Sequence, residues 1–235
     1  MDDAIITMSG ARAAYVGPAL GLAPHRNAVA TIAIARAAPF ELNGARRITA
    51  IIPPGERHYL RAAGPMAFVY LDALSDDIER LRLTDLELRV QRWRRSAAAF
   101  DVDAICAALG VPTKPVRDAA IAAVARRIDA DPSAFAGVAE AAEAAGLSPS
   151  HFQARFRRAV GLAFRRYRLW RRMAAAVRTA SEGANLTEAA HAAGFASSAH
   201  FSAAFKDMFG IMPSALSVMT VQTSAAPLAT GDAFL

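Results

Sequence analysis

A two-domain α+β chain, with a small N-terminal β-barrel followed by an all-α domain, is the fold class the sequence predicts. Three observations carry this expectation. The first seventy-odd residues contain short apolar runs separated by turn signals. From Asp76 the apolar spacing becomes helical. A helix-turn-helix pattern then occurs twice, 48 residues apart. At 235 residues the chain is long enough for two ordinary domains. Hydrophobic residues make up 54%, but 58 residues are Ala, which buries little area and favours helix, so the composition reads as helical rather than greasy.

The β-region is read in order. Residues 28–35 (AVATIAIA) and 48–52 (ITAII) are rich in β-branched residues, and residues 40–42 join the second run through Asn43-Gly44, a hairpin signal. A turn at Pro53-Pro54-Gly55 leads to His58-Tyr59-Leu60, and residues 66–71 (MAFVYL) form a further strand candidate. Residues 1–75 are therefore taken as the first domain. In residues 76–95, eleven of twenty residues are charged, while Leu86, Val90, Trp93 and Ala97 form one apolar stripe. That stripe suits packing on the chain's own barrel or a dimer contact, so residues 76–114 are taken as a helical linker. Residues 115–219 read as helix after helix, and residues 220–235 as a flexible tail.

Composition excludes several classes. A single cysteine, Cys106, rules out a disulfide framework and a Cys-rich zinc module, and it fits a reducing cytoplasm. Placed in an apparent helix, it reads as buried and inert. The opening MDDAIITMSG lacks the basic start and apolar core of a signal peptide. No run approaches ~20 consecutive apolar residues, so a cytoplasmic protein without a membrane partner is expected.

The repeat carries the chemistry. Residues 141–161 read AAEAAGLSPSHFQARFRRAVG, and residues 189–210 read AAHAAGFASSAHFSAAFKDMFG. In each copy a small residue (Ala142, Ala190) permits close helix crossing. Gly146 and Gly194 supply a left-handed turn, and Leu147 and Phe195 plug the corner. Ser148, followed by Pro149, and Ser197 cap the second helices. Phe152 with Phe156, and Phe201 with Phe205, anchor one face of each.

The opposite faces imply a partner. Ser150, Gln153, Ala154 and Arg157 share a face on which Gln can pair with adenine, Arg can reach guanine and Ala can touch a thymine methyl. The matching face in the second copy is Ala199, Ser202, Ala203 and Lys206, poor in base-reading groups. Between the copies, residues 163–180 suit one helix of ~25 Å, a spacer compatible with the ~34 Å repeat of B-DNA. Leu169, Met173, Ala176 and Val177 would form its buried stripe, leaving Arg165, Arg166, Arg168, Arg171 and Arg172 to ring the rest. Residues 144–181 hold nine Arg and no acid, which points to a polyanion.

These residues resemble the AraC/XylS family of bacterial transcription regulators. The likeness runs over residues 116–217 and includes the closing pattern Ala189-Ala190, Gly194-Phe195, Phe201, Phe205-Lys206, Gly210 and Pro213. It implies a seven-helix DNA-binding domain whose first two helices span residues 118–128 and 135–145. It also implies base contacts from Ser150, Gln153, Ala154, Arg157, Ala199, Ser202 and Ala203. Arg158, Arg165, Arg166, Ser197 and Lys206 are expected on phosphates. Double-stranded DNA and RNA polymerase are the implied partners, with a homodimer as a further possibility, and no cofactor is expected.

The N-terminal half resembles a cupin-like sensory barrel through Pro53-Pro54-Gly55-Glu56-Arg57-His58, with His25-Arg26-Asn27 where a cupin has H-x-H. Asn27 replaces the second His, leaving His25 and His58 where a metal needs three or four ligands. They are taken as markers of an effector pocket for a small molecule, with no catalytic residue and no metal assigned. The expectation is a sequence-specific DNA-binding transcription regulator, not an enzyme. The alternatives are a metal-dependent cupin enzyme fused to a nucleic-acid-binding module, or an alkylation-repair adaptor, which would need a cluster of reactive cysteines.

Overall fold

Strands precede the helices, and one more strand follows them, in the computed structural model, which describes residues 3–71, 83–95, 100–111 and 118–224. The strands are β1 (Ile5–Ser9), β2 (Arg12–Gly17), β3 (Thr31–Ala35), β4 (Phe40–Leu42), β5 (Ala45–Arg47), β6 (Thr49–Ile52), β7 (Leu60–Arg61), β8 (Met66–Tyr70) and β9 (Thr220–Ser224). They pair as a six-stranded sheet in the order β6-β3-β8-β2-β1-β9 and a three-stranded sheet in the order β5-β4-β7.

Three strand expectations change. The hairpin at Asn43-Gly44 forms, with φ of 49° and 83° at the two turn residues, but it joins β4 to β5. The apolar run beyond it is a separate strand, β6, paired with β3. β1 and β2 were not singled out because β2 is buried along its whole length and so shows no in–out alternation. The tail expected from residue 220 begins instead with β9, a strand in parallel register with β1.

Helix α1 (Leu83–Arg95) and α2 (Val102–Leu109) cover one face of the larger sheet. Leu86, Val90 and Trp93 of the apolar stripe are buried there with Val16, Ile32 and Val69, so the stripe serves the chain's own sheet and not a dimer contact. The rest of the predicted helix at residues 76–82, Ala97, and residues 112–117 of the linker lie outside the described residues. Cys106 is buried in α2.

The helical domain comprises α3 (Ala119–Ala130), α4 (Val138–Ala144), α5 (Pro149–Val160), α6 (Phe164–Ser181), α7 (Leu186–Ala192) and α8 (Ser198–Phe209), closed by a 3₁₀ helix (Pro213–Val218). Asp118 caps α3 by accepting from the Ile121 N–H at 3.2 Å. Among the described residues no helix is long and apolar enough to cross a membrane.

The two domains share one core. Met8, Ala13, Ala28 and Val29 of the β-region belong to the same buried cluster as Phe152, Trp170 and Phe205. Helix α6 is its axis. The Trp170 indole donates to the Ala11 carbonyl at 3.0 Å, and the Arg171 guanidinium donates to the Gly10 carbonyl at 3.0 Å, both in the β1–β2 turn. The other side of Arg171 meets Asp129 at 2.7 Å, and Asp129 also accepts from the Tyr167 hydroxyl at 2.7 Å. Arg171 is 6% exposed, so deleting it strands a buried carboxylate. Arg171→Leu is expected to destabilise the protein by ~3–5 kcal/mol, against less than ~0.5 kcal/mol for the exposed Arg165→Leu. Urea midpoints of the two variants measure this, and equal shifts would show that the buried pair has no structural role.

Candidate nucleic-acid interface

Each half of the repeat is built by the same local chemistry. Gly146 and Gly194 take φ of 65° and 79°, a conformation an L side chain rarely adopts. The next residues close the turn: Leu147 N–H donates to the Ala142 carbonyl at 2.9 Å, and Phe195 N–H to the Ala190 carbonyl at 3.0 Å. Both bonds span six residues, the signature of a Schellman end. The second helix then starts on its cap: Ser148 accepts from the His151 N–H at 3.4 Å, and Ser197 from the His200 N–H at 3.1 Å. Phe152 and Phe156 bury against Phe164, with ring centroids 5.1 and 5.2 Å away. Phe201 and Phe205 do the same against Phe195 and Phe209, at 5.2 and 4.7 Å.

With the phenylalanines buried, the opposite faces stand free. Ser150, Gln153, Ala154, Arg157 and Arg158 are exposed on α5. On α8, Ala199, Ala203 and Lys206 are exposed and Ser202 is half-buried, while Ser197 is exposed at its cap. The structure therefore gathers the residues expected to touch DNA on two outward helix faces.

The arginine run behaves differently. Of its nine members, Arg157, Arg158 and Arg165 are exposed. Arg155 makes a two-pronged contact with Asp118, both donor distances being 3.0 Å. Arg168 donates to the backbone carbonyls of Phe135 and Ala136, and Arg172 to that of Pro132. Arg171 is buried on Asp129, and Leu169 of the expected stripe is only half-buried. Arg166 lies over Gly55 of the β-region, where an added Cβ would collide with its guanidinium. Arg165 and Arg166 line an interdomain cleft of about 300 Å³ together with Arg26. The expectation that five arginines ring α6 as one polyanion-binding face is thus corrected: tertiary partners occupy most of them.

His25 and His58 come together. Their backbones exchange hydrogen bonds of 3.0 and 2.9 Å, and their rings lie 4.2 Å apart, edge to face. The Nδ1 atoms donate to the carbonyls of Ala23 (2.8 Å) and Glu56 (3.0 Å), because a carbonyl can only accept. Burial holds His25 down to about 4 and lowers His58 as well, the backbone bonds opposing it in both. Among the described residues no three His, Cys, Asp or Glu converge as a metal site.

His25 also sits at the domain junction. The loop that carries it is tied to the end of α8, with Ala23 N–H donating to the Gly210 carbonyl and Arg26 N–H to that of Asp207, each at 2.9 Å. Gly210 is required by both φ (73°) and space, since a Cβ would lie 2.6 Å from the Ala23 oxygen. Beside this contact is a cavity of about 70 Å³. Its walls come from the sheet (Met8, Tyr15, Tyr70), the loop (His25, Asn27), α6 (Trp170, Met173) and the inner face of α8 (Phe205, Phe209). The sequence pointed to His25 but not to this cavity, because the walls come from segments more than a hundred residues apart.

Comparison with known proteins bears on both domains. Residues 141–217 match a family model described as a helix-turn-helix domain. No curated protein sequence matches the chain. Among solved structures, ToxT from Vibrio cholerae is similar at 12% identity, covering 89% of this chain and 98% of that one, with a TM-score of 0.52. A ToxT structure bound to an unsaturated fatty acid is similar at 12% identity over 94% and 95%, with a TM-score of 0.52. Another, bound to a naphthalene-substituted butenoic acid, gives 13%, 93%, 98% and 0.51. At these identities the likeness is one of fold, and it spans both domains.

The histidines set a pH dependence. Both rings are neutral when folded, whereas the unfolded chain protonates them near 6.5. Stability is therefore complete above pH 6.5 and falls as pH drops toward 4. Urea midpoints from pH 7.5 to about 4.5 should decline, and more gently in His25→Gln; an unchanged slope in the variant would exclude His25 as a source.

Proposed function

We propose that this chain, which carries an AraC-type helix-turn-helix domain over residues 141–217, is a sequence-specific DNA-binding transcription regulator whose DNA-reading helices respond to a small effector held between the domains. The observation that carries the reading is the pair of matched, capped helices α5 and α8, whose phenylalanines are buried and whose polar faces are free.

The two faces differ in what they can do. On α5, Gln153 can pair bidentately with adenine and Arg157 can reach guanine or a phosphate, so most discrimination between sequences falls to this helix. On α8, Ala199, Ser202 and Ala203 offer little to a base edge, while Lys206 can meet a phosphate; this helix mainly positions the protein. Ser197, Arg158 and Arg165 supply further backbone contacts in this reading.

The effector reading rests on where the cavity lies. Phe205 and Phe209 line it from the inner side of α8, the same helix whose outer side carries Ala203 and Lys206. A ligand that shifts those rings shifts the helix, and Gly210 couples that movement to the His25 loop. The ToxT structures that hold acidic small molecules support a ligand-binding role for this architecture. A homodimer and contact with RNA polymerase are proposed on the family resemblance.

Selection of bound sequences from randomised DNA tests the reading: enrichment of a defined site is expected, and recovery of an unenriched pool would overturn it. In the same assay Gln153→Ala should relax preference at one base position by ~1–3 kcal/mol. Arg157→Ala should weaken binding, and with a phosphate as its partner the slope of log affinity against log salt should fall by about 0.9. An unchanged base preference in the first variant would remove Gln153 from the base-reading set.

A further inference from the structure

We infer that the interdomain cavity takes an uncharged ligand bearing a hydroxyl or carboxamide group, and that it discriminates against carboxylates. This rests on the effector reading above and narrows it to a chemical class.

Three observations carry it. First, among the described residues none that lines the cavity is Lys, Arg, Asp or Glu. Of the guanidiniums next in sequence to lining residues, Arg171 is committed to Asp129 and the Gly10 carbonyl, Arg12 pairs with Asp103, and Arg26 pairs with Asp207. A carboxylate entering would be buried without a counter-ion, at a cost far above that of a neutral polar group.

Second, one residue of the lining carries a buried polar atom without a partner. Asn27 lines it, is 2% exposed, and its Oδ1 meets no donor among the described residues. A buried amide oxygen without a donor is costly, and the usual resolution is a partner outside the chain. Asn27 also stands in the position that the resemblance assigns to a histidine ligand, so the residue that breaks the metal pattern is the one that creates the recognition group.

Third, two neighbouring polar groups are neutral and are left as acceptors. His25 spends its Nδ1 proton on the Ala23 carbonyl, which leaves Nε2 of the neutral ring as a lone pair. The Tyr15 hydroxyl donates to the Pro18 carbonyl at 2.7 Å and is left with acceptor capacity. A hydroxyl or carboxamide donates to such a set and accepts as well, whereas a carboxylate can only accept. The remaining walls are aromatic and aliphatic. Their volume, about 70 Å³, is smaller than the ~150 Å³ of a cavity that holds benzene. Met8, Met173 and Met219 in the lining are unbranched and can yield to admit a small ring.

The test uses the full chain and four probes built on one benzene ring: benzyl alcohol, benzamide, benzoate and toluene. Tryptophan fluorescence reports binding through Trp170 in the wall, and the rise in melting temperature provides a second readout. At neutral pH the alcohol and the amide are expected to bind at least about tenfold more tightly than benzoate. Asn27→Leu should bind toluene and lose the preference for the alcohol over it. Benzoate binding as tightly as the alcohol would overturn the inference and leave the effector site standing. Failure of all four probes, toluene included, to bind would overturn the effector reading itself and the inference with it. Should Asn27→Leu fail to fold, the alcohol-to-benzoate ratio in the natural chain decides.

Discussion

A guanidinium sunk between two domains is the constraint on which the rest of the structure depends. Arg171 cannot shed its charge, so burying it requires a carboxylate and carbonyl oxygens to be brought to it from elsewhere. Asp129 arrives from α3, and the Gly10 carbonyl from the β1–β2 turn. Trp170, one residue earlier, takes the adjacent Ala11 carbonyl. Because these partners come from both domains, α6 is held on the sheet in one rotation. That rotation turns Met173 and Ala174 toward the cavity and leaves the two helix-turn-helix units flanking the spacer. Domain orientation, cavity and DNA-facing surface thus follow from one set of buried polar contacts.

What the sequence disclosed about the helical domain was local. The left-handed glycines, the serine caps and the paired phenylalanines act over three to six residues, and a repeat separates such signals from chance. Asp118, read as the start of the domain's first helix, is the cap of α3. The β-region was less legible. β2 is buried on both faces and carries small residues, so no alternation marks it. β9, with the sequence TVQTS, has no apolar run and becomes a strand only because β1 offers it an open edge. The cavity was beyond reach altogether, since no short window contains more than a few of its walls.

The arginine run shows how a correct count leads to a wrong face. Nine arginines without an acid in 38 residues looked like unopposed charge. Charges are opposed in space, however, and α3 supplies both missing acids: Asp118 to Arg155 and Asp129 to Arg171. Backbone carbonyls satisfy Arg168 and Arg172. What remains exposed of the run is a smaller set, Arg157 and Arg158 on α5 and Arg165 at the start of α6.

The parallel pairing of β9 with β1 has a consequence for biogenesis. β1 is made before both recognition helices and β9 after them. Until synthesis has passed residue 224, the β1 edge of the six-stranded sheet has unsatisfied N–H and C=O groups, the kind of edge that templates association with other nascent chains. Pairing of the β1 edge is therefore postponed until both helix-turn-helix units have been made.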